Sequence, residues 1–242
     1  MMERYFIGID GPVSAGKTTT AKTFAEKYDF HYVDTGAFYR AFAVWASTQP
    51  DCFDIKTNQP LESKIEERIN AGKIHVSAVL GSPYQTMLYN DKEIQESMLR
   101  TPEISDLSSK LSTMGCVRNL LLYDLRKIIR LGNVIMEGRD VCTNINPDAD
   151  CKIYLTAQAG VRAMRRYLQT GKLDWDLDQY LSVLNDLQER DHRDMTRSLN
   201  PLKPAEGAYC LDNTRRTLDE TVTAIAACAI HAHIPLMAFL KP

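Results

Sequence analysis

Residues Gly11-Pro12-Val13-Ser14-Ala15-Gly16-Lys17-Thr18 match G-x-x-x-x-G-K-[ST] at every fixed position. The chemistry of that spacing is anion capture. The glycines let main chain wrap closely around phosphate, and successive N–H groups then point inward. A following helix adds the positive end of its dipole. Lys17 reaches the β- and γ-phosphates, the Thr18 hydroxyl sits on Mg²⁺, and Thr19 continues the segment. The context fits: Tyr5 to Asp10 reads as a short buried strand, and Lys17 to Lys27 as a helix. The motif implies a bound nucleoside triphosphate and leaves its fate open.

Four other groups bear on that fate. Arg40 ends Asp34-Thr35-Gly36-Ala37-Phe38-Tyr39-Arg40, which follows a second short strand, His31 to Asp34. Glu137-Gly138-Arg139-Asp140 follows a third, Asn133 to Glu137. Arg162, Arg165 and Arg166 share one helix face at i, i+3 and i+4. Arg190, Asp194 and Arg197 share another at i, i+4 and i+7, with Arg193 alongside. Each group alone also reads as a surface arginine, a solvated turn or an ion-paired face. Together they describe a cleft that neutralises two phosphate groups. Phosphoryl transfer between phosphates needs positioning and charge neutralisation more than covalent help. An attacking phosphate oxygen is already anionic, so no general base is required. His192 lies within the arginine segment and is assigned to the surface.

The elements that must position these groups alternate between strand and helix. Further strands are expected at Cys151 to Leu155 and Ala208 to Asp212. Helices are expected at Phe38 to Ser47, Ser105 to Leu131, Ala159 to Leu168, Leu177 to Arg197 and Leu218 to Ala232. The long central one rests on Leu107, Leu111, Val117, Leu121, Leu125 and Ile128, spaced by three, four and six. Such alternation implies an α/β domain, a parallel sheet with helices on both faces and its strand ends on one cleft. Between Pro50 and about Pro102 the chain is more polar. There Ile65 to Gly72 reads as a helix, and Ile74 to Val79 and Gln85 to Tyr89 as strands around the turn signal Gly81-Ser82-Pro83.

The chain has 242 residues with a formal net charge of −2, so bulk attraction to nucleic acid or anionic membrane is not expected. The opening apolar run is too short for a signal-peptide core, and no stretch suits a transmembrane helix. None of the six cysteines forms a C-x-x-C pair. They read as buried, reduced thiols, with Cys151, Cys210 and Cys228 in apolar stretches, which suits a cytoplasmic protein. The tail from His233 to Pro242 carries no functional signal.

These residues resemble the bacterial cytidylate kinase family. The matching pieces are IDGPVSAGKTTTAK from Ile9, YVDTGAFYRA from Tyr32, LRTPEIS from Leu99, EGRD from Glu137 and NPDADCKIYL from Asn146. The last and most specific is RDHRDMTRSLNPLKPAEGAYCLDNT from Arg190. The resemblance spans nearly the whole chain. It implies a P-loop kinase fold: a five-stranded parallel sheet flanked by helices, a small monophosphate-binding insertion over about residues 50–103, and a short lid near 169–178. It implies phosphorylation of CMP and dCMP by ATP with Mg²⁺, in a monomer. Ser109, Arg118 and Asp140 look like the cytosine-reading residues. Thr35, Arg40, Arg139 and Arg197 look like the acceptor-phosphate and transfer residues, and Arg190 with Asp194 like the sugar contact. Arg162 and Arg166 look like residues that approach the donor phosphates as the lid closes, and Glu137 like an outer neighbour of the metal. Two departures stand out: the family commonly has Asp where Glu137 stands and Gly where Cys142 stands.

The rivals are a kinase for another acceptor, such as UMP or shikimate, and a GTPase or regulatory nucleotide-binding module. The guanine-reading N-K-x-D tetrapeptide of a GTPase is missing from the sequence.

Overall fold

In the computed structural model the described residues are 4–81, 84–169 and 175–236. The chain opens with β1 (Phe6–Asp10), α1 (Lys17–Tyr28), β2 (His31–Asp34) and α2 (Thr35–Ser47). It continues through α3 (Glu62–Asn70), β3 (Val76–Leu80), β4 (Gln85–Tyr89), β5 (Lys92–Glu93) and α4 (Glu96–Leu99). Next come α5 (Pro102–Leu111), α6 (Gly115–Ile128), β6 (Val134–Gly138) and a π-helical turn at Val141–Ile145. The last elements are β7 (Cys151–Thr156), α7 (Ala159–Leu168), α8 (Leu177–Thr196), β8 (Tyr209–Asp212) and α9 (Leu218–His231).

Five strands form one sheet in the order β2-β6-β1-β7-β8. All four pairings are parallel. Every residue of β1 and β6 is buried, as expected for central strands covered on both faces. Side chains alternate between the two covers. Phe6 and Met136 pack with Phe38, Phe42 and Trp45 of α2 and Leu121 of α6. Ile7, Ile9 and Ile135 pack with Phe24 of α1 and Val222 and Ile225 of α9. The chain is therefore an α/β protein with one parallel sheet between two apolar layers. Because the strands run the same way, Asp10, Asp34, Gly138, Thr156 and Asp212 all end at one edge.

A second, three-stranded antiparallel sheet, β3-β4-β5, stands apart from the first. Its Val76 and Met87 join the apolar layer of α2, and Gln85 of β4 bonds the end of β2. The Gln85 amide accepts from the Asp34 N–H at 2.8 Å and donates to the Asp34 carbonyl at 3.1 Å. Half of the lid expected near 169–178, residues 170–174, lies outside the described residues. Among the described residues no helix is long and apolar enough to cross a membrane.

The structure corrects several details. The single helix expected from Ser105 to Leu131 is two helices, α5 and α6. At the break, the Ser112 and Thr113 hydroxyls donate to the carbonyls of Ser109 and Lys110 at 2.8 and 2.7 Å. Such back-bonding competes with helix continuation, and Gly115 then starts α6. The six-residue gap from Leu111 to Val117 is the mark of that break. The short elements β5, α4 and the π-helical turn were not expected. Of the cysteines, Cys52, Cys142 and Cys151 are buried, Cys116 and Cys228 are half-buried, and Cys210 is exposed, against the buried reading given to all of them. Cys210 sits on β8, an edge strand, where alternate side chains face solvent.

Two glycines matter for the site. Gly11 has φ +152°, and a Cβ there would overlap the Leu155 carbonyl oxygen, so the turn out of β1 needs glycine. A Cβ on Gly8 would overlap the Cys142 sulfur. We expect Gly8→Ala to lower unfolding free energy by about 1–3 kcal/mol through overpacking. The same change should cost less in a Cys142→Ala background, as read from urea unfolding of the four proteins.

Candidate active site

The phosphate loop bridges β1 and α1. Gly16 at the head of α1 has φ 98°, and Ser14 within the loop has φ 58°, a left-handed conformation unusual for a side-chain-bearing residue. Lys17 is buried, and its ammonium donates to the carbonyls of Gly11 and Pro12 at 2.8 and 2.7 Å. Burial, followed by the charge of Arg139, lowers its pKa to about 7. The Ala15 carbonyl accepts from Asn213 Nδ2 at 2.8 Å, so the loop leans on the end of β8. Thr19 points to solvent, on the opposite side of α1 from its buried residues.

Below the loop lies Glu137, buried at the end of β6. It accepts from the Tyr32 hydroxyl at 2.7 Å, and the Thr18 hydroxyl lies near enough to favour its charged form. Burial and the charge of Asp34 raise its pKa, while Lys17 and Thr18 oppose them. Thr18 and Glu137 thus offer a hydroxyl and a carboxylate oxygen side by side. That donor set fits Mg²⁺, which keeps several waters and takes one or two protein oxygens besides substrate phosphates.

On the other side of the cleft, α2 begins where β2 ends. Asp34 caps it by accepting from the Ala37 N–H, and its other oxygen pairs with Arg40 at 2.6 Å. The buried Nε of Arg40 has no hydrogen-bond partner among the described residues. Thr35 is tied to β6, its hydroxyl donating to the Glu137 carbonyl at 2.9 Å. The segment after β6 is pinned by Asp10, which accepts from the N–H groups of Val141 and Cys142, each at 2.8 Å. Burial, only partly offset by these bonds, raises the Asp10 pKa to about 6.

Asp140, in that segment, pairs with Arg118 of α6 and with Arg197 just beyond α8, the latter at 3.2 Å. Asn144 also donates to it at 3.1 Å. Ser109 of α5 is buried, and its hydroxyl has no partner among the described residues. Arg139 donates from Nε to Asp194 at 2.8 Å. Burial pushes the Asp194 pKa up, but Arg139, Arg190 and Arg197 outweigh it and hold the carboxyl below its ordinary value. Arg190 has no hydrogen-bond or ion-pair partner among the described residues. Burial and the neighbouring charge of Arg139 lower its pKa to about 10.

The sequence-assigned groups therefore meet across one cleft, with Lys17, Arg40, Arg139, Arg190 and Arg197 set against Asp34, Asp140 and Asp194. Besides Thr19, two residues expected to approach the donor phosphates on lid closure point elsewhere in this structure. Arg162 is buried and turned toward Asp191, the Ala157 carbonyl and the Val13 carbonyl. Arg166 is exposed, reaching Gln169 at 3.4 Å. His192 is exposed, as expected. Sequence reasoning passed over Asp10, Tyr32, Gln85, Asp191 and Asn213. Asp10 had a signal, an acid ending a buried strand, and Asp191 stood inside the arginine segment. The partners of Tyr32, Gln85 and Asn213 lie far along the chain, and no spacing announces them.

This arrangement can hold a triphosphate over the loop and a second anion among the arginines. Residues 7–231 match the sequence profile of the cytidylate kinase family. A cytidylate kinase of Carboxydothermus hydrogenoformans is 36% identical over 219 residues, covering 90% of this chain and 94% of that protein. One of Lactococcus lactis subsp. lactis is 37% identical over 226 residues, with 93% and 96% covered. One of Lactiplantibacillus plantarum is 35% identical over 221 residues, with 91% and 92% covered. With its parallel sheet, its phosphate loop and a match over nearly its full length, the chain belongs to the cytidylate kinase family.

Proposed function

We propose that this protein transfers the γ-phosphoryl group of ATP to the phosphate of CMP or dCMP, in the cytoplasm and as a monomer. A phosphate oxygen of the acceptor forms the new bond to the γ-phosphorus. The bond from that phosphorus to the β,γ-bridging oxygen breaks, leaving ADP and CDP or dCDP. No proton needs removing, because the attacking oxygen is anionic near neutral pH. The observation that carries this reading is Asp140, held between Arg118 and Arg197; Ser109 of α5 adds a buried hydroxyl that has no partner among the described residues. Cytosine presents an amino donor beside a ring nitrogen and a carbonyl, both acceptors. A carboxylate suits the first, and a hydroxyl with a guanidinium suits the others. Uracil inverts the donor and acceptor at that edge.

The loop N–H groups and Lys17 hold the donor phosphates. Arg40, Arg139 and Arg197 take the acceptor phosphate and spread the developing charge, while Arg190 and Asp194 take the sugar. Mg²⁺, held by Thr18 with Glu137 behind it, would neutralise the β- and γ-oxygens when bound. The segment over about residues 50–103 closes on the acceptor. The lid near 169–178 closes on the donor, excluding water that would otherwise take the phosphoryl group.

Three outcomes follow. Lys17→Ala and Arg197→Ala should each lose roughly 3–4 kcal/mol of transition-state stabilisation, a rate loss of about 10²–10³ in a coupled assay. Near-wild-type turnover in both would sink the mechanism. Asp140→Asn should raise the KM for CMP by about tenfold or more while changing that for UMP far less. Equal shifts would remove the cytosine contact. The third outcome concerns Lys17, neutral in the free protein above its lowered pKa and charged beside a triphosphate. Binding of MgATP at about pH 8 should take up close to one proton, and at about pH 6 almost none. Calorimetry in buffers of different ionisation enthalpy measures this. Lys17→Met should abolish the uptake, and its persistence would place the titrating group elsewhere.

A further inference from the structure

Val13, at the tip of the phosphate loop, is gripped on both main-chain groups by side chains from the far half of the protein. Its N–H donates to Asp191 Oδ1 at 3.1 Å, and its carbonyl oxygen accepts from Arg162 Nη1 at 3.0 Å. The same Nη1 pairs with Asp191 Oδ2 at 2.5 Å, and Arg162 Nε donates to the Ala157 carbonyl at 2.8 Å. Both side chains are buried, 8% and 9% exposed. An ion pair so enclosed is expensive to break, because the survivor is left as an uncompensated charge. The grip is therefore stiff.

Stiffness is what this loop requires. Ser14, the next residue, is held at φ 58°. Such a conformation persists only where the surroundings over-determine it. Freed from Asp191 and Arg162, the Val13–Ser14 segment would relax, and the N–H groups from Ser14 to Thr18 would no longer converge on one point. The grip also joins three elements of the donor side. Arg162 lies on α7, Asp191 on α8, and the loop leads into α1.

We infer that Asp191 and Arg162 are positioning residues for the donor triphosphate. They hold Val13, and Arg162 acts through the loop instead of by contact with phosphate. This rests on the reading of ATP as phosphoryl donor.

The test is steady-state kinetics with ATP and CMP varied in turn, on the wild type, Asp191→Ala, Arg162→Met, the double variant and Asp191→Asn. Each single truncation should raise the KM for ATP by about tenfold or more, with the KM for CMP within about twofold. The double variant should be no worse than the worse single one, since either change opens the same grip. Asp191→Asn keeps an oxygen for the Val13 N–H and should recover much of the loss. If Asp191→Ala does not fold, Asp191→Asn and Arg162→Lys carry the comparison, with smaller shifts confined to ATP. A drop in kcat with Arg162→Met beside a near-normal Asp191→Ala would overturn the inference and make Arg162 a direct phosphate ligand. Equal rises in both KM values, tracking a fall in melting temperature, would overturn it in favour of a general structural role. A wild type that binds MgATP but phosphorylates nothing would instead sink the parent reading. The clamp would then stand or fall on the Kd for MgATP of the same variants, where a rise of about tenfold supports it and no change overturns it.

Discussion

Crowding of like charge is the constraint around which this cleft is built. Lys17, Arg40, Arg139, Arg190 and Arg197 gather at one edge of the sheet, where burial weakens the screening that water would provide. Without substrate they must be neutralised from within. Asp34 takes Arg40, Asp194 takes Arg139, and Asp140 takes Arg197 together with Arg118. At Arg190, burial and the charge of Arg139 lower the pKa. Lys17 yields further, its pKa lowered while it folds back on the carbonyls of its own loop. In the function proposed above, substrate phosphates bring the negative charge this edge lacks, and so compete for cations already oriented.

Parallel topology makes the gathering possible. The pairing of β1 with β6 sets Asp10 beside Gly138, and that of β2 with β6 sets Asp34 beside Glu137. Residues more than a hundred positions apart thus become neighbours. Asp10 exploits this directly, reaching across to hold Val141 and Cys142 and with them the segment carrying Arg139 and Asp140. The acidic residue that ends β1 and the arginine that follows β6 are parts of one device, the first holding the segment that carries the second.

Much of this was legible in the sequence. The phosphate loop announced itself because its chemistry is local: eight adjacent residues carry the fold-back, the lysine and the helix start. The arginine faces on α7 and α8 were readable from helical spacing. What spacing could not supply was the partner of each group. Arg162 shares a face with Arg166, yet one is buried against Asp191 and the other is exposed. The difference comes from how α7 packs on α8 and on the loop. The break between α5 and α6 is masked by the helical apolar spacing on either side; its marks are the six-residue gap from Leu111 to Val117 and the hydroxyl back-bonding of Ser112 and Thr113. The family departure at Cys142 has a plain steric role, its sulfur filling the space above Gly8. The departure at Glu137 keeps an oxygen beside Thr18, with Tyr32 bracing the longer side chain.

The central claim is that this charged cleft passes a phosphoryl group from ATP to a cytidine monophosphate. The most direct measurement is ADP formation from MgATP with CMP, dCMP, UMP, AMP and GMP offered one at a time. Fast turnover with CMP and dCMP, and little with the other three, is the result this account predicts. Preferred turnover of another acceptor would contradict the assignment of Asp140, Arg118 and Ser109 to cytosine. Tight ATP binding with no transfer to any of the five would contradict the account as a whole.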